Sequence, residues 1–221
     1  MLGHIENWIF DLDNTLYPAS ANLFAQIDVH MGAFIQDLLA CDAAEAHRIQ
    51  KSLFHSHGMT LPGLMAEHGV DPHDFLARVH DVDVRVVTPH PELAALIARL
   101  SGRKFVFTNA DAAYANRVLA QLGLSESFDA LYDIHALGYV PKPQAPAYAG
   151  LCAAHAIDPR KSVFVEDMAR NLVPAKAIGM TTVWIDNGSE QGPGDARDHI
   201  DYTITEVSAW LTEVLAAQET A

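Results

Sequence analysis

The chain is short of cysteine, of positive charge and of long apolar runs, and each shortage removes a class of protein. Cys41 and Cys152 are its only cysteines in 221 residues. Both sit in alanine-rich, helix-like sequence, so a reduced pair of small apolar side chains is expected rather than a disulfide framework. Fourteen Lys and Arg stand against 28 Asp and Glu, a formal charge of −14. A balance so acidic argues against a nucleic-acid polymer or an anionic membrane as partner, and it favours solubility. No apolar run approaches the roughly 18–20 residues that span a bilayer. The first residues, MLGHIEN, lack a cationic segment followed by an apolar one, so no secretory leader is expected and the cytoplasm is the expected compartment.

What is present is globular composition, with 50% hydrophobic and 19% charged residues. That suffices for a sizeable core in one domain, or in one domain with an insert. Residues 5–10 are apolar-rich with a β-branched and aromatic bias and predict a buried first strand. Leu23, Ile27, Met31, Phe34, Ile35 and Leu38 then recur at helical spacing and predict a helix over 20–40. Helical patches at 43–57, 61–68 and 73–80 follow, punctuated by Gly58, Pro62, Gly69 and Pro72.

From Pro91 onward helix and strand alternate. Helices are expected at 91–100, 111–122, 144–156, 169–178 and 206–217, and strands at 104–107, 128–134, 162–165 and 181–185. The stretch NGSEQGPGDARD, 187–198, reads as a polar loop. Strands separated by helices of this length imply right-handed crossovers and a mostly parallel sheet. The expected architecture is α/β: a core of 1–14 and 87–221, interrupted after its first strand by an all-helical insert at 15–86.

In open sheets of this kind ligands bind beyond the carboxyl ends of the strands. Asp11 and Asp13 follow the first strand, Thr108 and Asn109 the second, Lys142 lies between the third strand and its helix, and Glu166 and Asp167 follow the fourth. Each group has an ordinary structural reading: a solvated turn, a helix cap, a loop lysine, acids favouring a helix N-terminus. Their joint occurrence at one sheet edge points instead to phosphoryl transfer. A carboxylate such as Asp11 can serve as a covalent nucleophile. Its approach to an anionic substrate requires neutralisation, which Mg²⁺ on Asp11, Asp167 and a nearby backbone carbonyl would supply. Lys142 and Thr108 suit the phosphoryl oxygens, and Asp13 suits proton transfer to the leaving group and from water.

Assembled in this order, Asp11-Leu-Asp13-Asn-Thr-Leu, Thr108-Asn109, Lys142 and Glu166-Asp167 resemble the motifs of the haloacid dehalogenase superfamily of phosphohydrolases, over nearly the whole chain. The resemblance implies a Rossmann-like core with a helical cap inserted after the first strand. It implies Asp11 as nucleophile and Asp13 as general acid/base. Phosphate binding would fall to Thr108, with Asn109 beside it, and to Lys142; Mg²⁺ would be held by Asp11, the Asp13 carbonyl and Asp167. Glu166 either meets the metal through water or faces the site. Asn171, where many relatives carry an acid, either hydrogen-bonds a ligand or a metal-bound water or is a polar helix residue. The extended form FDLDNTLYP is closest to the pyrimidine 5′-nucleotidase-like branch, which implies nucleoside monophosphates as one substrate class beside sugar phosphates and phosphoglycolate.

Three other readings are open at this stage. A phosphomutase shares every core residue. A 2-haloacid dehalogenase needs neither Asp13 nor a metal, and a phospho-receiver lacks the acid beside its nucleophile. In the insert, His55 and His57 fall on opposed sides of a helix, unsuited to a shared metal, and are expected at the surface or at the join with the core. Phe24, Phe34 and Phe54 are expected as core, with stacking on a base as the alternative. Oligomeric state is not legible.

Overall fold

A computed structural model of the chain describes residues 2–188, 192 and 196–219. Six parallel strands form one sheet in the order β3-β2-β1-β4-β5-β6: β1 Asn7–Phe10, β2 Arg103–Phe107, β3 Ala130–Tyr132, β4 Ser162–Glu166, β5 Thr181–Ile185 and β6 Tyr202–Ile204. β1 lies inside the sheet with all four residues buried: Trp8, Ile9 and Phe10 are apolar, and Asn7 is satisfied by donating to Ser162 Oγ and accepting from Arg103. Phe10 pairs with Val106 on one side and Val165 on the other. The chain builds outward from β1 to β2 and β3, then returns past β1 to lay down β4. That reversal opens a crevice above the carboxyl ends of β1 and β4, where parallel sheets bind ligands.

Both faces of the sheet are covered. Trp8 packs edge-on against Trp210 of helix α9 (Val207–Glu219), with ring centroids 6.2 Å apart. On the opposite face Phe107 and Phe164 meet Tyr148 of α7 (Ala145–His155). Helices α5 (Pro91–Arg99), α6 (Ala112–Leu122) and α8 (Ala169–Ala177) complete the crossovers. The chain enters α6 through Asp111, whose carboxylate accepts the Tyr114 N–H, and leaves it through Gly123 at φ 81. The second of these is the left-handed stop that glycine supplies without strain.

Between β1 and β2 run α1 (Leu23–Leu39), α2 (Ala43–His57), α3 (Thr60–His68) and α4 (Pro72–Val79). Phe34 of α1 meets Phe75 of α4 edge-on at 5.0 Å, and Gln50 of α2 donates to Asp28 of α1 at 2.7 Å. Phe34 is therefore core, whereas Phe24 is 46% exposed. Phe54 lies beneath the Arg170 guanidinium, 4.4 Å from the ring centroid, and Arg170 also donates to the Gly58 carbonyl. His55 is exposed and His57 pairs with Glu67, so neither faces a shared ligand.

Elements differ from expectation mainly at the sheet margins. The first strand begins at Asn7, two residues late, and β3 keeps three of the seven residues expected. β6 had no signal: its three residues pair with β5 only because the chain returns there. Cys41 and Cys152 are free thiols. Half of the loop expected at 187–198, residues 189–191 and 193–195, lies outside the described residues. Among the described residues no helix is long and apolar enough to cross a membrane.

Candidate active site

Asp11 stands one residue beyond β1, where its N–H still donates to the Val165 carbonyl at 2.9 Å. The ladder thus fixes its backbone between β2 and β4. The chain then turns sharply: the Leu16 N–H reaches the Leu12 carbonyl at 3.0 Å, and Asn14 adopts φ 59, a left-handed conformation asparagine tolerates better than most residues. Across the crevice the Trp184 indole donates to the Asp167 carbonyl at 2.8 Å, anchoring the loop after β4.

Lys142 is 1% exposed, and its ammonium donates to Asp11 Oδ1 at 2.6 Å, to Glu166 Oε2 at 2.8 Å and to the Phe107 carbonyl at 2.8 Å. All three of its donors are thereby used. Burial disfavours the charged lysine, but the Asp11 and Glu166 charges outweigh burial and hold its pKa above the ordinary value. Its loop is placed by Asn109, whose amide accepts the Lys142 N–H at 2.9 Å and donates to the Lys142 carbonyl at 3.2 Å. Asn109 therefore holds the backbone of the lysine, a task not foreseen from sequence. Thr108 is buried, and its hydroxyl oxygen accepts the Ala110 N–H at 3.0 Å.

One ammonium faces three acids. Asp11, Glu166 and Asp167 each present an oxygen, and these oxygens lie within 4.8 Å of one another. Burial, then the Glu166 charge, pushes Asp11 up to about 7 and Asp167 up to about 9, with Lys142 pulling in the opposite direction. Glu166 is committed on both oxygens, to Lys142 and to the Met168 N–H. Its place is thus opposite the lysine, an ion pair that two motifs far apart in sequence did not announce. One turn beyond Asp167, Asn171 Oδ1 is buried without a partner. An oxygen-only cluster with more acids than cations suits a hard, hydrated divalent cation such as Mg²⁺.

Asp13, close enough for its charge to act on Asp11, is held by a different set of partners. The Tyr17 hydroxyl donates to Asp13 Oδ1 at 2.5 Å, and the Tyr114 hydroxyl donates to the same oxygen at 2.6 Å. Both tyrosines are buried. Burial, then the Asp13 charge, holds both phenols well above their ordinary pKa, so they stay protonated donors. Tyr114 escaped the sequence reading. Its placement in the first turn after the Asp111 cap, just beyond the second strand, was the available signal.

Asp11, Lys142, Glu166 and Asp167 are thus brought into one buried cluster, with Asn109 behind the lysine and Asp13 held beside them. A model of the haloacid dehalogenase-like hydrolases matches residues 5–179. The chain is 26% identical over 140 residues, 58% of its length, to "Phosphate metabolism protein 8" of Saccharomyces cerevisiae, of which the match spans 43%. The chain therefore spans less than half of that curated relative. Among solved structures, a HAD phosphatase from Thermococcus onnurineus superposes with TM-score 0.66 at 17% identity, covering 96% of this chain and 98% of that one. YfnB from Bacillus subtilis, a HAD-hydrolase solved with magnesium bound, gives 0.62 at 14%, covering 96% and 98%. The L-2-haloacid dehalogenase of Xanthobacter autotrophicus gives 0.60 at 17%, covering 95% and 98%. At these identities the structural likenesses speak for the fold alone. The family match covers most of the chain, and the fold agrees with it: the protein belongs to the haloacid dehalogenase-like hydrolases.

Proposed function

We propose that the protein is a Mg²⁺-dependent phosphatase that hydrolyses a small phosphate monoester through an aspartyl-phosphate on Asp11. The observation that carries this reading is the division of the site into a buried acidic cluster around Lys142 and a separately held acid, Asp13. Phosphoryl transfer needs both parts. Carbon–halogen cleavage needs neither an acid for the leaving group nor a cluster suited to a cation, so the dehalogenase-like neighbours do not favour that chemistry here.

The steps follow from the side chains. Asp11 attacks phosphorus, and the bond from phosphorus to the ester oxygen breaks as Asp13 delivers a proton to that oxygen. Asp13, now a base, takes a proton from water. The water oxygen attacks phosphorus and the bond to Asp11 breaks, releasing phosphate. Lys142 holds Asp11 in place and, with the Thr108 hydroxyl, faces the charge on the phosphoryl oxygens. Asp11, Asp167 and the Asp13 carbonyl are the proposed ligands of Mg²⁺, with Asn171 available to a metal-bound water. When bound, Mg²⁺ supplies the positive charge that lets an anionic ester approach three carboxylates.

On this reading residues 15–86 act as a cap that selects the substrate, and 1–14 with 87–221 form the catalytic core. We favour a pyrimidine nucleoside 5′-monophosphate, on the likeness of FDLDNTLYP to that branch. Of the insert's three candidate aromatics, Phe54 under Arg170 and the exposed Phe24 are the ones left to meet a base. No macromolecular partner is required, and a cytoplasmic setting is consistent with free thiols.

Phosphate release from p-nitrophenyl phosphate, UMP, CMP, hexose phosphates and phosphoglycolate tests both levels. Asp11→Asn is expected to remove turnover by more than about 10⁴-fold, and chelation to remove it reversibly. Full activity in excess chelator would sink the mechanism. If sugar phosphates are turned over faster than UMP and CMP, the nucleotidase reading fails while the phosphatase reading stands. Transfer of phosphate to an added hexose phosphate rather than to water would identify a mutase.

A further inference from the structure

Two buried phenols on a single carboxylate oxygen are more than packing requires. A buried tyrosine hydroxyl needs one acceptor, yet Tyr17 and Tyr114 converge on Asp13 Oδ1 at 2.5 and 2.6 Å, with their own oxygens 3.5 Å apart. Among the described residues nothing donates to Oδ2. The arrangement fixes the carboxylate's rotation and leaves one oxygen for proton transfer.

The two phenols come from places with a common property. Tyr17 lies in the segment that leads from β1 into α1. Tyr114 stacks on the His80 ring, with centroids 4.5 Å apart and planes 20° off parallel. His80 caps the carboxyl end of α4, where the insert returns toward the sheet. The same imidazole pairs with Asp111, the cap of the helix that carries Tyr114, and Arg117 donates to the His80 carbonyl. Each of the two chain segments joining the helical insert to the sheet is therefore tied to one of the hydroxyls on Asp13.

We infer that Tyr17 and Tyr114 are positioning residues for the general acid, a clamp braced by His80 that sets which Asp13 oxygen faces the ester and ties its orientation to both segments joining insert and sheet. The inference rests on the phosphatase reading. It makes a demand that a structural role would not: kcat/KM reads the ester-cleaving step, before water attacks, and in that step only a leaving oxygen that needs a proton draws on Asp13 as an acid. p-Nitrophenolate leaves without one. An alkoxide does not.

The test compares kcat/KM for p-nitrophenyl phosphate and for glycerol phosphate in the wild type, in Tyr17→Phe, in Tyr114→Phe and in the double variant, with thermal midpoints recorded for each. The double variant is expected to lose about 10- to 100-fold on glycerol phosphate and no more than about 3-fold on p-nitrophenyl phosphate. The single variants keep the ring and one donor and are expected to show a smaller loss in the same direction, so they carry the test if the double variant does not fold. Equal loss on both esters, or no loss on either, overturns the clamp. A wild-type protein inactive on both esters, and on the wider set of phosphate monoesters, defeats the phosphatase reading and the clamp together.

Discussion

At the scale of single residues, Lys142 decides whether the site is tolerable. It is a fully buried cation on which two buried carboxylates converge, and the second of these, Glu166, has no other cationic neighbour in hydrogen-bond reach among the described residues. Lys142→Ala is expected to lower the stability of the metal-free protein by about 3–5 kcal/mol, since removing one partner leaves buried charges uncompensated. A urea titration measures this. Stability equal to the wild type would mean that water already screens the cluster. The sequence singled out Lys142 as a candidate, because a lysine between prolines after a strand is visible locally. It did not reveal Glu166 as the lysine's partner, nor Asn109 as the brace of the lysine's backbone. Those pairings join residues brought together only by crossovers.

At the scale of elements, the helices were legible because each carries its own periodicity and punctuation. Asp42, Asp71 and Asp111 accept N–H groups at the starts of α2, α4 and α6, as capping aspartates do. Short strands were harder: the three residues of β3 and of β6 hold too little pattern to declare themselves, and only their neighbours in the sheet make them strands. One tight join deserves a direct test. Gly102, at φ 90 just before β2, lies so close to the start of β1 that an added Cβ would stand 2.3 Å from the Glu6 carbonyl oxygen. Gly102→Ala is expected to destabilise by at least about 1–3 kcal/mol from backbone strain, with the backbone clash added to it. Activity per folded molecule should be little changed, because the join lies at the amino end of the strands, away from the site. A variant with wild-type stability would show that the close approach is not rigid.

At the scale of the whole molecule, stability and metal binding are linked through the acids of the crevice. Asp11 and Asp167 hold protons in the fold up to about 7 and about 9, against 3.8 for an ordinary aspartate. A carboxyl whose pKa is raised by folding contributes stability that is full below the unfolded value and is lost as pH rises through the folded one. In chelator, the thermal midpoint is therefore expected to fall from about pH 4, most steeply up to about pH 7 where both acids contribute, and on to about pH 9 through Asp167 alone; saturating Mg²⁺ should shift and reduce that fall by neutralising the ionised cluster. Identical melting curves with and without Mg²⁺ across this range would count against a metal among these residues.

Sequence by itself determined the helices, the central strands, their order and the α/β class, and it singled out most of the side chains proposed for the site. Each of these is written within a few residues, in periodicity, capping and turn chemistry. Only the tertiary structure decided which of those side chains meet: Lys142 between Asp11 and Glu166, and Tyr17 and Tyr114 on one oxygen of Asp13. The reason is range. A strand end fixes where a residue sits along the sheet edge, whereas its partners depend on strand order, on register and on the return of the chain from a helical insert.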